Sequence, residues 1–124
     1  GVLENISAQS VDKQFIEKIQ QLIVEHMSDE TFGVETLSKK IGMHRSNLTK
    51  KINAILKITP HDFIKIQKMK FAAGLLIASG KNISEVAYEV GFSDPKYFSR
   101  TFKSYFGVTP SEYIDQMDNT GSKS

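Results

Sequence analysis

The sequence predicts an all-α protein of about seven helices, arranged as two similar helical units joined by one long helix. Three observations carry this expectation. Apolar residues recur at helical spacing along most of the chain. Strand signals are scarce, with no long alternating β-branched stretch and no Asn-Gly or Asp-Gly hairpin turn. A two-helix pattern occurs twice, its copies about fifty residues apart.

Taken in order, residues 1–11 are expected as a flexible lead-in or linker. From about Asp12 to Met27, the residues Phe15, Ile19, Leu22, Ile23 and His26 fall at i, i+4, i+7, i+8 and i+11, one face of a helix. Val34, Leu37 and Ile41 stripe a second, short helix closed by Gly42, and Leu48, Ile52, Ile55 and Leu56 stripe a third. A long fourth helix starts at Thr59-Pro60, where threonine caps and proline suits the first helical position, and runs to Ser79-Gly80. Asn82 with Glu85 three residues on opens a fifth as a capping box, and Gly91 ends it. Asp94-Pro95 starts a sixth that reaches Phe106-Gly107, and Thr109-Pro110 with Glu112 starts a seventh. The polar tail 118–124 is expected to be disordered. The expected domains are therefore 12–58, a linker helix over 59–80, and 81–117.

The 124 residues, 40% of them hydrophobic, suffice for one sizeable core or two small ones. With no cysteine there is no disulfide framework, no thiolate zinc site and no cysteine nucleophile, which permits a reducing intracellular setting. The longest apolar run, Phe71 to Ala78, falls far short of the ~20 residues a membrane span needs, and the start Gly-Val-Leu-Glu-Asn has no signal-peptide design. A cytoplasmic protein with no membrane contact by this segment is the expectation. The net charge of +2 conceals an asymmetry: residues 1–37 carry two lysines against seven acids, whereas 38–110 carry thirteen Lys and Arg against four acids. A basic middle between acidic ends suggests a polyanionic partner, and the plainer reading is a solvated lysine-rich surface.

The internal repeat decides between them. Leu37-Ser-Lys-Lys-Ile-Gly42 aligns with Val86-Ala-Tyr-Glu-Val-Gly91, and Asn47-Leu-Thr-Lys-Lys-Ile52 aligns with Tyr97-Phe-Ser-Arg-Thr-Phe102. Both copies finish alike, Ile58-Thr-Pro-His-Asp-Phe-Ile64 matching Val108-Thr-Pro-Ser-Glu-Tyr-Ile114. Two units are too few for a solenoid, so each copy reads as a helix-turn-helix: two subdomains of that kind joined by the long helix. Gly42 and Gly91 sit where the tight turn would strain or collide with a side chain. Leu37 with Ile41, and Val86 with Val90, pin the first helix of each unit, while Leu48 with Ile52, and Phe98 with Phe102, pin the second. Those anchors leave His44, Arg45, Ser46, Asn47, Thr49, Lys50, Lys51 and Lys57 outward, with four fixed positive charges and no acid on the helix. The second unit presents Lys96, Tyr97, Ser99, Arg100 and Lys103, with only Asp94 at the helix start, where its charge suits the dipole. Cations for phosphates, forked or amide donors for base edges, and an apolar back face are what a major-groove reader requires.

At these residues the sequence resembles the DNA-binding domain of the AraC/XylS family of bacterial transcription regulators, over roughly Phe15 to Gln116. The most specific stretch is Ile83-Ser-Glu-Val-Ala-Tyr-Glu-Val-Gly-Phe-Ser-Asp, followed by Lys96-Tyr-Phe-Ser-Arg-Thr-Phe-Lys103 and Phe106-Gly-Val-Thr-Pro-Ser-Glu-Tyr113. The resemblance implies two recognition helices, about 44–57 and 94–106, entering adjacent major-groove segments of double-stranded DNA. It implies Ser46, Thr49 and Lys50 as base-facing in the first and Lys96, Ser99 and Arg100 in the second. It also implies RNA polymerase as a partner and a sensory or receiver domain elsewhere in the full-length protein. Asp12-Lys-Gln-Phe15 followed by Met27-Ser-Asp29 resembles the version found in hybrid two-component regulators. Two positions depart from the family pattern. Lys57 stands where the second unit has Gly107, so that helix must close without the usual left-handed glycine, and Lys68 stands where arginine is common, which speaks against a bidentate contact there.

Nothing else in the sequence assembles a chemical site. His26, His44 and His61 are scattered, with no two at metal-ligand spacing, so no metal and no cofactor is expected. Glu85 and Glu89 mimic a carboxylate pair, but capping explains the first and solvent exposure the second. No phosphate loop or nucleophile elbow is present, and an enzyme is not expected. Phe92, Phe98, Phe102, Tyr105 and Phe106 are expected as the second core, and the apolar stretch 71–78 as buried nearly all round. With no heptad seam to pair copies, the isolated chain is expected to be a monomer. The function expected is sequence-specific duplex binding as the output domain of a regulator, and the alternative is a helical protein-interaction module.

Overall fold

The computed structural model describes the backbone of residues 2–122 and the side chains of residues 8–119. Its regular elements are all helical: α1 (Val2–Glu25), α2 (Val34–Ile41), α3 (Arg45–Leu56), α4 (Pro60–Ala78), α5 (Ile83–Glu89), α6 (Pro95–Phe106) and α7 (Pro110–Ser122). The chain folds as two compact units. One comprises the chain up to His26 with Phe32–Ile64, and the other comprises Met27–Thr31 with the chain from Lys65 onward. The division falls within α4 rather than at its ends: its first turn belongs to the first unit and the rest to the second.

In the first unit α1 packs on α2, and α2 on α3. Ile19 and Ile23 from α1, Leu37 from α2, and Leu48 and Ile52 from α3 are fully buried, each contributing about 1.5–3 kcal/mol by leaving water. Phe32, Phe63 and Ile64 complete this core. His26, placed by the α1 stripe, stacks on the Phe32 ring with centroids 5.0 Å apart.

In the second unit α6 lies between α5 and α7 as their common packing partner. Val86 and Ala87 of α5, Val90, and Phe98 and Phe102 of α6 are fully buried, together with Met69 and Ala72 of α4. An aromatic chain runs from Phe92 to Phe98, Phe102, Phe106 and Tyr113, neighbouring centroids lying 4.5–5.9 Å apart. Two expectations need correction. Tyr105 is 41% exposed and stacks only edgewise on Phe106, so it sits outside the core. In α4 the buried face is Met69, Ala72, Ala73 and Leu76, at i, i+3, i+4 and i+7, whereas Phe71 and Ile77 face outward and are exposed.

The two turns close identically. In each, the glycine N–H donates to the carbonyl three residues back and the following N–H donates to the carbonyl five residues back: Gly42 to Lys39 and Met43 to Ser38, Gly91 to Tyr88 and Phe92 to Ala87. This closure requires left-handed backbone, and the glycines adopt φ of +75° and +83°. At Gly91 there is a second demand. A Cβ there would lie 2.6 Å from the Met27 carbonyl oxygen and 2.9 Å from Lys68 Nζ, whereas at Gly42 it would meet open space. Lys68 is buried, with its ammonium 5.7 Å from the centre of the Phe92 ring. Burial pushes its pKa down, and the charges of Asp29 and Glu30 partly oppose that. The side chain therefore packs against the turn of the second unit, beside Gly91 and Phe92.

Helix starts follow the sequence closely. Asn82 and Glu85 exchange side-chain-to-backbone hydrogen bonds as a capping box, and Thr109 and Glu112 do the same for α7. The bonds from Thr109 hold the Glu112 carboxyl below its ordinary range. Two ends differ from expectation. Residues 2–11 are helical and continue α1, because no glycine, proline or cap interrupts the chain before Asp12. Helix α7 runs through Asp118 to Ser122, although Asn119 and Gly121 are poor helix formers; Lys123 and Ser124, the end of the expected tail, lie outside the described residues. The C-terminus of α3 closes without a glycine, as expected: Lys57 itself takes left-handed backbone with φ of +62°, and its ammonium donates to the Ala54 carbonyl.

Candidate nucleic-acid interface

Helices α3 and α6, with the residues that cap α3, carry every residue that the sequence singles out for binding. Each is fixed by two buried anchors, Leu48 with Ile52 and Phe98 with Phe102, which set the face turned away from its unit. Each is also started by a cap. His44 Nδ1 accepts a hydrogen bond from the Ser46 N–H at 3.3 Å and lies 2.8 Å from Ser46 Oγ. Asp94 accepts from the Lys96 N–H at 3.0 Å, with Pro95 in the first helical position. The caps stand at matching positions of the repeat, so the two helices present the same register.

On α3 the structure exposes His44, Arg45, Ser46, Asn47, Thr49 and Lys50, and leaves Lys51 half-buried. Two of the cations are engaged within the first unit. Arg45 pairs with Glu35 of α2 at 3.4 Å, and the Lys51 ammonium lies 4.1 Å from the centre of the Phe15 ring of α1. The helix itself carries no acid, as expected, but α2 supplies one. Among the described residues Lys50 has no ion pair. On α6, Lys96, Tyr97, Arg100 and Lys103 are exposed and Ser99 is half-buried. Tyr97 packs its ring 5.7 Å from that of Phe92, which leaves it half exposed beside the two basic residues. Arg100, at the position that corresponds to Lys50, also has no ion pair among the described residues.

One residue escapes the sequence reading. Asn53 is exposed on α3 one turn beyond Thr49 and Lys50, and the repeat pairs it with Lys103, which was the available signal. Glu89 needs correction. Rather than standing in solvent it is half-buried and forms an ion pair with Lys81 through one of its carboxylate oxygens. No group of three or more His, Cys, Asp and Glu among the described residues could hold a metal ion. None of their helices is long and apolar enough to cross a membrane.

A family model described as a helix-turn-helix domain matches residues 37–116, which takes in both turns, α3, α4 and α6. The chain belongs to the AraC/XylS-type family of helix-turn-helix DNA-binding domains, whose fold is that of DNA-binding transcription regulators and not of enzymes. Over 108 residues it is 40% identical to a Formosa agariphila protein named histidine kinase P4, covering 87% of this chain and 8% of that one. The chain likewise spans only 39% and 40% of two further bacterial regulatory proteins that it matches. Among solved structures, the C-terminal domain of the two-component response regulator yesN from Fusobacterium nucleatum is similar, with a TM-score of 0.73 and 31% identity, covering 82% of this chain and 98% of that one. The DNA-binding domain of the transcriptional factor AdpA, solved with a target DNA, shares the fold with a TM-score of 0.77 at 23% identity, over 87% of this chain and 96% of that one.

Proposed function

We propose that this chain is the output domain of a longer bacterial transcription regulator and reads double-stranded DNA by laying α3 and α6 in the major groove. The observation that carries the reading is the matched placement of Lys50 and Arg100, each exposed and, among the described residues, without an ion pair, on a capped helix whose back is pinned by two buried residues. Ser46, Thr49 and Lys50 in one helix, and Lys96, Ser99 and Arg100 in the other, face base edges. Tyr97, Lys103 and Lys57 meet phosphate or sugar. Arg45 and Lys51, already engaged with Glu35 and Phe15, add positive potential near the backbone rather than base contacts.

The likeness to a histidine kinase and to a response regulator supports a two-component protein with a further sensory or receiver domain. In this reading the domain acts in the cytoplasm and, through its DNA site, on RNA polymerase. The isolated domain is a monomer. Two copies brought together by such a domain gain avidity of about 10²–10⁴ from effective concentration alone, so that pairing becomes the switch. The test is titration of labelled duplex against salt. A DNA reader binds and loses affinity steeply as salt rises, while a protein-interaction module binds duplex little at any salt.

A further inference from the structure

We propose that Asn53 is a specificity-determining residue of α3, reading an adenine edge through its side-chain amide. The inference rests on the placement of α3 in the major groove argued above and goes beyond it in naming a residue and a base. Ser46, Thr49, Lys50 and Asn53 are exposed and stand at i, i+3, i+4 and i+7, one continuous outer face. That spacing is the one by which a homeodomain helix reads the groove. From the first of these residues to the last the helix rises roughly 10 Å, about three base-pair steps.

The side-chain hydrogen bonding of this face singles out Asn53. Ser46 Oγ is held by His44 at 2.8 Å, and the Thr49 hydroxyl donates to the Arg45 carbonyl at 3.0 Å. Lys50 and Asn53 have no such engagement among the described residues. A carboxamide offers one acceptor and two donors in a plane, the complement of adenine N6 and N7, whereas an ammonium offers donors only and suits guanine. Position 53 therefore supplies the adenine reader that the rest of the face lacks. Its counterpart in the repeat is Lys103, so the two helices put different chemistry at the same place.

Selection of bound duplexes from a random pool, with the unaltered protein and with Asn53→Ala and Lys50→Ala, tests this. Because Asn53 is exposed, thermal melting should be unchanged in its variant. The expected result is an adenine at one position that Asn53→Ala no longer selects, with affinity for the original site lower by about 5- to 150-fold. Uniform weakening over all duplexes would make Asn53 a phosphate contact and overturn the proposal. So would unchanged preference in Asn53→Ala while Lys50→Ala alters one position, which leaves the groove placement standing. If neither variant changes affinity or preference, the placement of α3 falls as well.

Discussion

Lys51 holds its ammonium 4.1 Å from the centre of the Phe15 ring, joining the recognition helix α3 to α1 within the first unit. A cation over an aromatic face at a half-buried site is worth about 0.5–2 kcal/mol, and here it steadies the helix that carries Lys50. Lys51→Met keeps the apolar stem and removes the charge. It should lower unfolding free energy by about 0.5–2 kcal/mol while reducing the salt slope of DNA binding by well under about one unit. Urea melts and a salt titration check this together; a slope reduced by about one unit with unchanged stability would place Lys51 on a phosphate instead.

Gly42 and Gly91 separate two costs that a turn glycine can avoid. Gly42→Ala meets only left-handed strain, about 1–2 kcal/mol. Gly91→Ala adds a clash with the Met27 carbonyl, a backbone oxygen that cannot swing away, so it should cost at least about 1 kcal/mol more. Equal losses in paired urea melts would show that the backbone around Met27 yields freely.

Lys68 gives the second unit a pH dependence whose sign follows from its burial. Its folded pKa is lowered, so between that value and the ordinary lysine pKa of about 10.5 the unfolded chain holds more protons. Stability from this group therefore rises as pH climbs through that window, and below it the charged form carries its burial penalty in full. Lys68→Met should lose this rise and be neutral or more stable near pH 7, since an apolar side chain of similar size needs no desolvation. Chemical denaturation of both proteins across the alkaline range measures it; a parallel pH dependence in the variant would assign the effect elsewhere.

Local signals were legible and contacts between distant residues were not. The caps at Asn82, Asp94 and Thr109 and the turn glycines follow from short-range stereochemistry, which the sequence displays directly. The Phe15–Lys51 and Glu35–Arg45 contacts join residues from different helices, and no periodicity marks such pairs. They matter because each gives a cation expected at the DNA a partner within the first unit. Asn53 was recoverable in principle, from its pairing with Lys103 in the repeat. In the stretch 71–78 the sequence is apolar on every side, so composition could not reveal that Phe71 and Ile77 are its exposed large side chains.

The most direct test of a two-helix reader is the base preference of Lys50→Ala and Arg100→Ala measured side by side by selection from a random duplex pool. Each should relax one or two base pairs at a cost of about 1–3 kcal/mol, and the positions affected by the two substitutions should not overlap. Uniform weakening across all sequences by both, with preferences intact, would contradict base readout by α3 and α6 and reduce the basic face of each helix to a phosphate-binding surface.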